Sequence, residues 1–275
     1  MTEPCKVCWR HCAPPEGGQG VCGGRKTVNG KVVSTNYGQL TAIALDPIEK
    51  KPLRRFHPGT KILSIGSYGC SLHCPFCQNH EISMPEGRIP IREVYPEQLA
   101  QLAYRLKEQG NIGVAYTYNE PLISYEYVRD CGQLIHQQGM YNVLVSNGMA
   151  SLEVLGAISP FIDAMNIDLK SFRTDWYREV LGGDLGMVKD FIREAVKSAH
   201  VELTTLVIPG VNDSEEEIRQ MAGWIASLDP QIPYHLSRFF PAYKMKDRQP
   251  TPVRTVYHLA EVAGEYLEHV YTGNC

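Results

Sequence analysis

The sequence predicts an α/β fold built on a parallel sheet, and three observations carry that expectation. After residue 60, apolar β-prone runs alternate with helical patterns six times. Gly and Pro punctuate the junctions between them. Polar clusters gather where each β-prone run ends. Such alternation implies parallel strands joined by right-handed crossovers. An open doubly wound sheet and a full or partial (β/α) barrel both satisfy it, and in either the functional groups collect at the C-terminal strand ends.

The elements follow in order. Residues 1–25 are rich in Cys, Gly and Pro and lack periodicity, the pattern of a small segment held by a metal. In "TVNGKVVSTNYGQLTAIAL" an Asn-Gly turn separates short β-prone runs, which predicts a hairpin. "DPIEKKPLRRFHPG" reads as a link onward, so the expected division is 1–58 for the cysteine-rich segment and hairpin and 59–275 for the repeating β/α body. There "KILSIGS", "IGVAYTY", "YNVLVSN", "FIDAMNIDL", "VELTTLVI" and "YHLSRF" are the expected strands. "PEQLAQLAYRLKEQG" is a helix with Pro96 near its start and Gly110 as its stop. "PLISYEYVRDCGQLIHQQG", "SLEVLGAI", a stretch over roughly 186–200, "DSEEEIRQMAGWIASL" and "VRTVYHLAEVAGEYLE" are the others, with Asp213 as the expected N-cap of the fifth.

Bulk properties bound the function. The chain has 275 residues and a net charge of -3, which gives no electrostatic case for nucleic acid or an anionic membrane surface. It contains no run of 18 apolar residues, and "MTEPCKVCWRHC" has no apolar stretch to serve as a signal peptide, so a cytoplasmic location is expected. Nine cysteines in such a chain point to metal or redox chemistry rather than to disulfides. Cys131 lies in an apolar helical pattern and is expected in the core. Cys275 stands alone, with no spacing signal.

The rest form two groups. Cys70, Cys74 and Cys77 fall in "GCSLHCPFCQNH", directly after the first expected strand. Three thiolates on a [4Fe–4S] cluster leave one iron open for a chelating substrate, such as the amino and carboxylate groups of a methionine moiety. Cys5, Cys8, Cys12 and Cys22 suffice for a closed four-thiolate site. Zinc would make that site structural, and a second [4Fe–4S] cluster would pass electrons or contact substrate. Other strand ends carry "TYNEP" (117–121), "SNG" (146–148), "DLK" (168–170), "PGVND" (209–213) and "HLSRF" (235–239), which a barrel would bring to one face.

The C-x3-C-x2-C pattern with Phe76 before its last cysteine resembles the cluster loop of radical S-adenosylmethionine (SAM) enzymes, and the likeness runs over about residues 60–245. It implies a partial (β/α)6 TIM-type barrel in which Cys70, Cys74 and Cys77 hold the cluster. "TYNEP" stands where that family has a Gly-Gly-Glu motif, so Glu120 would accept from the SAM ammonium, with Asn119 beside it and Ser146 and Asn147 on the next strand end. Lys170 would neutralise the SAM carboxylate, Asp168 would bond a ribose hydroxyl, His235 matches a strand-6 histidine, and Phe76 to Gln78 would face the adenine. The implied reaction is reductive cleavage of SAM to a 5′-deoxyadenosyl radical that takes hydrogen from a protein or peptide-like substrate.

"LDPIEKKPLRRFHPG", "NIDLKSF" and "SRFFPAYKM" further resemble the radical SAM member of the AmmeMemoRadiSam system, a group similar to pyruvate formate-lyase activating enzyme. That likeness implies Memo-like and AMMECR1-like partners and a reductant such as flavodoxin or ferredoxin. A glycyl-radical enzyme activase is one alternative, and a non-catalytic iron–sulfur module that binds SAM for redox sensing is another.

Overall fold

The structure, a computed structural model, describes residues 2–275. An N-terminal stretch leads into a hairpin of β1 (Arg25–Val28) and β2 (Lys31–Ser34). Its turn residues Asn29 and Gly30 both adopt positive φ, as the Asn-Gly signal requires. Then come β3 (Gln39–Leu40), β4 (Ala42–Pro47), β5 (Lys61–Gly66), α1 (His80–Ser83), β6 (Arg92–Glu93), α2 (Pro96–Arg105) and β7 (Asn111–Tyr116). Alternation continues through α3 (Tyr125–Gln137), β8 (Tyr141–Ser146), α4 (Leu152–Ile158), β9 (Ala164–Asp168), α5 (Leu185–Ala195), β10 (His200–Val207), α6 (Glu215–Leu228), β11 (Tyr234–Arg238), α7 (Val253–Gly264) and β12 (Val270–Gly273).

The main sheet has the order β4-β5-β7-β8-β9-β10-β11-β12. From β5 to β12 every neighbouring pair is parallel, and β4 adds antiparallel to β5. All six expected strands are present, in a partial barrel. Two edge strands are additional. β4 comes from the run read as the far side of the hairpin, and β12 follows the last helix.

Period-two alternation divides the apolar residues between two cores. Leu63, Val114, Leu144 and Met165 face the helices in the main cluster. Their neighbours Ile62, Ala115, Val143 and Ala164 form a second cluster with Ile48 and Leu53. The stretch read as a link is therefore a plug inside the sheet's curve. Glu202 on β10 fastens it, accepting from the Arg54 and Arg55 amides at 2.9 and 2.8 Å. Asn166 on β9 adds a bond to the Pro52 carbonyl at 2.9 Å.

Local chemistry explains the junctions. The β5/β7 register slips between Lys61 and Leu63, and the Asn111 side chain spans the slip, accepting from Leu63 N at 2.8 Å and donating to Ala103 O at 2.9 Å. Gly113 admits no side chain, because a Cβ there would lie 1.8 Å from the Tyr141 carbonyl oxygen. Helix α2 begins at Pro96 and ends at Arg105, before the expected stop, and the 3-10 turn Lys107–Gln109 that follows it closes on Gly110 at φ 89°. The N-cap of α6 is Ser214, whose hydroxyl accepts from Glu217 N at 3.2 Å. Asp213, expected in that role, instead accepts from Gly210 N at 2.9 Å and closes the preceding turn. Cys131 is fully buried under α3, as its apolar pattern requires. No helix among the described residues is long and apolar enough to cross a membrane.

Candidate active site

The loop after β5 carries Cys70, Cys74 and Cys77 to the C-terminal end of the sheet, and it is pinned by its backbone. Gly69 N donates to Ile82 O, His73 N to Leu181 O and Lys244 N to Pro75 O, each at 2.9 Å. Cys70 N donates to Cys22 O at 3.0 Å, which fixes the cluster loop to the N-terminal segment. Gly69 makes this approach possible. It sits at φ 87°, and a Cβ there would lie 2.6 Å from Cys22 O and 2.9 Å from Ile123 Cδ1. Gly69→Ala is expected to cost roughly 2–4 kcal/mol by denaturant unfolding, combining the left-handed backbone with overpacking. Gly110→Ala, at a similar φ with nothing within 4 Å, serves as the control and should cost only about 1 kcal/mol. Equal losses in the two would refute the packing role.

All three cysteines line one open cavity of about 340 Å³ at the strand ends. Of the other expected residues, Phe76, Gln78, Asn119, Glu120, Ser146, Asn147, Asp168 and Lys170 also line it. Glu120 is buried, and its carboxylate accepts from Leu122 N at 3.0 Å, Ser146 Oγ at 2.8 Å and Asn147 N at 2.8 Å. Burial pushes its pKa up to about 7, against the pull of those donors. Asn119 is a clasp: it accepts from Ser67 N at 2.9 Å and donates to Gly69 O at 3.1 Å. Asn147 Nδ2 lies 3.5 Å from Cys70 Sγ and 3.2 Å from Ser71 Oγ.

Lys170 Nζ lies 2.8 Å from Asp168 Oδ2 and 5.9 Å above the Phe76 ring. Burial works against this ammonium, yet Asp168 and Cys74 beside it hold its pKa above the ordinary lysine range. Burial pushes the Cys74 thiol up to about 12, with Lys170 opposing. Ligation of that sulfur to a metal therefore releases a proton.

His235 is not at the cavity. Its Nε2 pairs with Glu202 Oε2 at 2.6 Å inside the barrel, and its ring stacks on Tyr271. Its register partner Thr204 and Ser237, two residues further along β11, do line the cavity, while the His235 ring is held by Glu202. The 209–213 loop does not line the cavity either. Its Asn212 supports the site from behind, donating to Lys170 O at 2.8 Å.

Lys51, Thr204 and Asn274 line the cavity without having been singled out, and Ser237 reaches it from the expected "HLSRF" strand end. Thr204 was findable by alternation along its strand. Lys51 was not, since it lies in the plug. It is buried, paired with Asp46 at 2.9 Å, and stands 4.7 Å over the Tyr118 ring.

A barrel that gathers thiols, a buried carboxylate and an ion pair in one strand-end cavity has the build of a cofactor-dependent barrel enzyme. The family model of the Radical SAM superfamily matches residues 64–222, and the chain belongs to that superfamily. An uncharacterised protein of Methanocaldococcus jannaschii is 38% identical over 274 residues, covering 98% of this chain and 80% of that protein. The pyruvate formate-lyase-activating enzyme of Clostridium pasteurianum is 26% identical, covering 61% of this chain and 72% of that one. Among solved structures, Streptococcus suis SuiB bound to S-adenosylmethionine aligns with a TM-score of 0.58 at 13% identity, covering 76% of this chain and 48% of that one.

The donor set fits the cofactors this superfamily implies. Three thiols line one cavity, the number that would hold a [4Fe–4S] cluster with one iron left open. The cavity continues from the thiols to Glu120, Asp168 and Lys170, which leaves room for a ligand beside the thiols.

Proposed function

We propose that Cys70, Cys74 and Cys77 hold a [4Fe–4S] cluster and that the cavity beside it binds SAM for hydrogen abstraction from a protein or peptide-like substrate. The observation that carries the reading is the shared cavity, where the three thiols stand with the Lys170–Asp168 pair and the buried Glu120. The cluster and SAM together supply one-electron cleavage to a 5′-deoxyadenosyl radical.

The chain's own groups do the positioning. Lys170 offers a cation to a ligand carboxylate while Asp168 keeps it charged and aimed. Glu120 accepts from a ligand ammonium, and the arriving positive charge favours its ionised form. Ser146 and Asn147 N hold both carboxylate oxygens in place before any ligand arrives. Asp168 remains open to a ribose hydroxyl. The backbone at 76–78 lies on the same cavity wall, where a base would stack near Phe76.

Anaerobically reconstituted protein given SAM and dithionite is expected to form 5′-deoxyadenosine. A cluster whose spectrum ignores SAM, with no product, would overturn the reading. Lys170→Met removes the cation and strands Asp168. It is expected to weaken SAM binding roughly 10–100-fold, equivalent to about 1.5–3 kcal/mol, with iron content unchanged. Calorimetric titration checks it, and an unaltered affinity would remove Lys170 from the site.

The likeness to the Clostridium pasteurianum activating enzyme favours a protein substrate, with a glycyl-radical enzyme activase as the specific alternative. Membership of the AmmeMemoRadiSam system, with Memo-like and AMMECR1-like partners and a flavodoxin or ferredoxin donor, is the narrower reading of the sequence motifs. Neighbouring genes test it: that pair supports the system, and a glycyl-radical enzyme gene supports the activase.

A further inference from the structure

We propose that Cys5, Cys8, Cys12 and Cys22 hold a second [4Fe–4S] cluster, closed by four thiolates and seated against the loop of the first. This goes beyond the function proposed above and does not depend on it. Four residues spread over 18 positions of chain line a single enclosed cavity of about 20 Å³. The four thiols are the donor set of a closed centre, which zinc or a [4Fe–4S] cluster can fill.

A second observation is independent of the thiols. Arg10 and Arg25 line the same cavity, and the Nε–H of each is buried with no hydrogen-bond partner. Arg25 is only 5% exposed. Its terminal nitrogens are fully used, on Glu126, Ile123 O and Val32 O. A guanidinium can only donate, and a buried donor left unmade costs about 1–3 kcal/mol. Two stranded donors beside four sulfurs call for acceptors inside the cavity. Cluster sulfides and thiolates are such acceptors, and donors of this kind tune iron–sulfur centres. The Arg10 guanidinium also brings positive charge to the cavity that the four thiols line.

The two sites are joined by a hydrogen bond and by neighbouring residues of the chain. Cys22 O accepts from Cys70 N at 3.0 Å. Ser71, next in sequence to Cys70, lines the second cavity, and its hydroxyl lies 3.2 Å from the Asn147 amide that also reaches Cys70 Sγ. With all four irons ligated by protein, the second cluster has no corner for SAM.

The test is metal content and electron paramagnetic resonance of the full chain purified without oxygen. Wild type is expected to hold about eight irons and eight sulfides per chain and no zinc. Cys5→Ser/Cys8→Ser should lose half the iron, and Cys74→Ala/Cys77→Ala the other half. On reduction with dithionite, wild type should give two signals, of which SAM alters one. About four irons with one zinc would overturn the proposal, as would about four irons that vanish in Cys74→Ala/Cys77→Ala. Should Cys5→Ser/Cys8→Ser fail to fold, the wild-type count and the SAM-insensitive signal in Cys74→Ala/Cys77→Ala still decide. If both signals ignored SAM while eight irons were present, the function proposed above would fall and the second cluster would stand.

Discussion

Cys74→Ala is expected to remove about four irons per chain and to abolish 5′-deoxyadenosine formation from SAM, with little change in the stability of the metal-free chain. The size of the effect follows from the ligand count. Cys70, Cys74 and Cys77 are the thiols that line the strand-end cavity, so the cluster has no spare sulfur there. Folding should survive because the loop is held by backbone bonds on either side of Cys74, from His73 N to Leu181 O and from Lys244 N to Pro75 O. The visible absorbance, iron assay and product chromatography of the anaerobic variant check it. A variant that kept its cluster and still made product would show that the loop is not the cluster's seat.

The second large effect lies outside the cavity. Glu202→Ala is expected to destabilise the fold by about 3–5 kcal/mol, the range for removing one partner from a buried charged network. Its carboxylate is enclosed and accepts from Arg54 N, Arg55 N, His200 Nε2 and His235 Nε2 at 2.6–2.9 Å. Alanine would strand those donors and release the plug from the barrel. For a chain of this size the melting temperature should drop by roughly 6–20 °C.

Acid should expose the same interaction. Burial would raise the Glu202 pKa, but the two histidines and two amides bring it from 4.5 down to about 2. A depressed folded-state pKa stabilises above the unfolded value and loses that contribution as pH falls through the folded one. The wild-type advantage over Glu202→Ala should therefore be full above about pH 5 and shrink by about 3 kcal/mol towards pH 2. Urea unfolding of both proteins across that window measures it. A constant gap would show that Glu202 acts by packing alone.

Much of this molecule was legible in its linear order. The six β/α alternations are legible because buried parallel strands must be apolar and their crossovers amphipathic, and both requirements leave local patterns. The cysteine loop, Glu120, Asp168 and Lys170 were legible because each ends a strand, and a parallel barrel brings strand ends together. His235 is a different case: parity along the strand assigns its face but not its partner, and only the fold pairs it with Glu202.

The plug shows the opposite case. Nothing local marks residues 48–56 as interior, because their charges and prolines are those of a surface link. They become interior only when the sheet curves and presents Ile62, Ala115, Val143 and Ala164 to Ile48 and Leu53. The two cysteine groups make the same point. Sequence determined that seven thiols stand in two sets, since ligand type and spacing are properties of the chain itself. Tertiary structure alone decided that Cys22 and Cys70 meet through a backbone hydrogen bond, and that two buried arginine donors without acceptors line the cavity of Cys5, Cys8, Cys12 and Cys22. Contacts between residues 48 positions apart in the chain depend on closing the fold, and no local pattern encodes them.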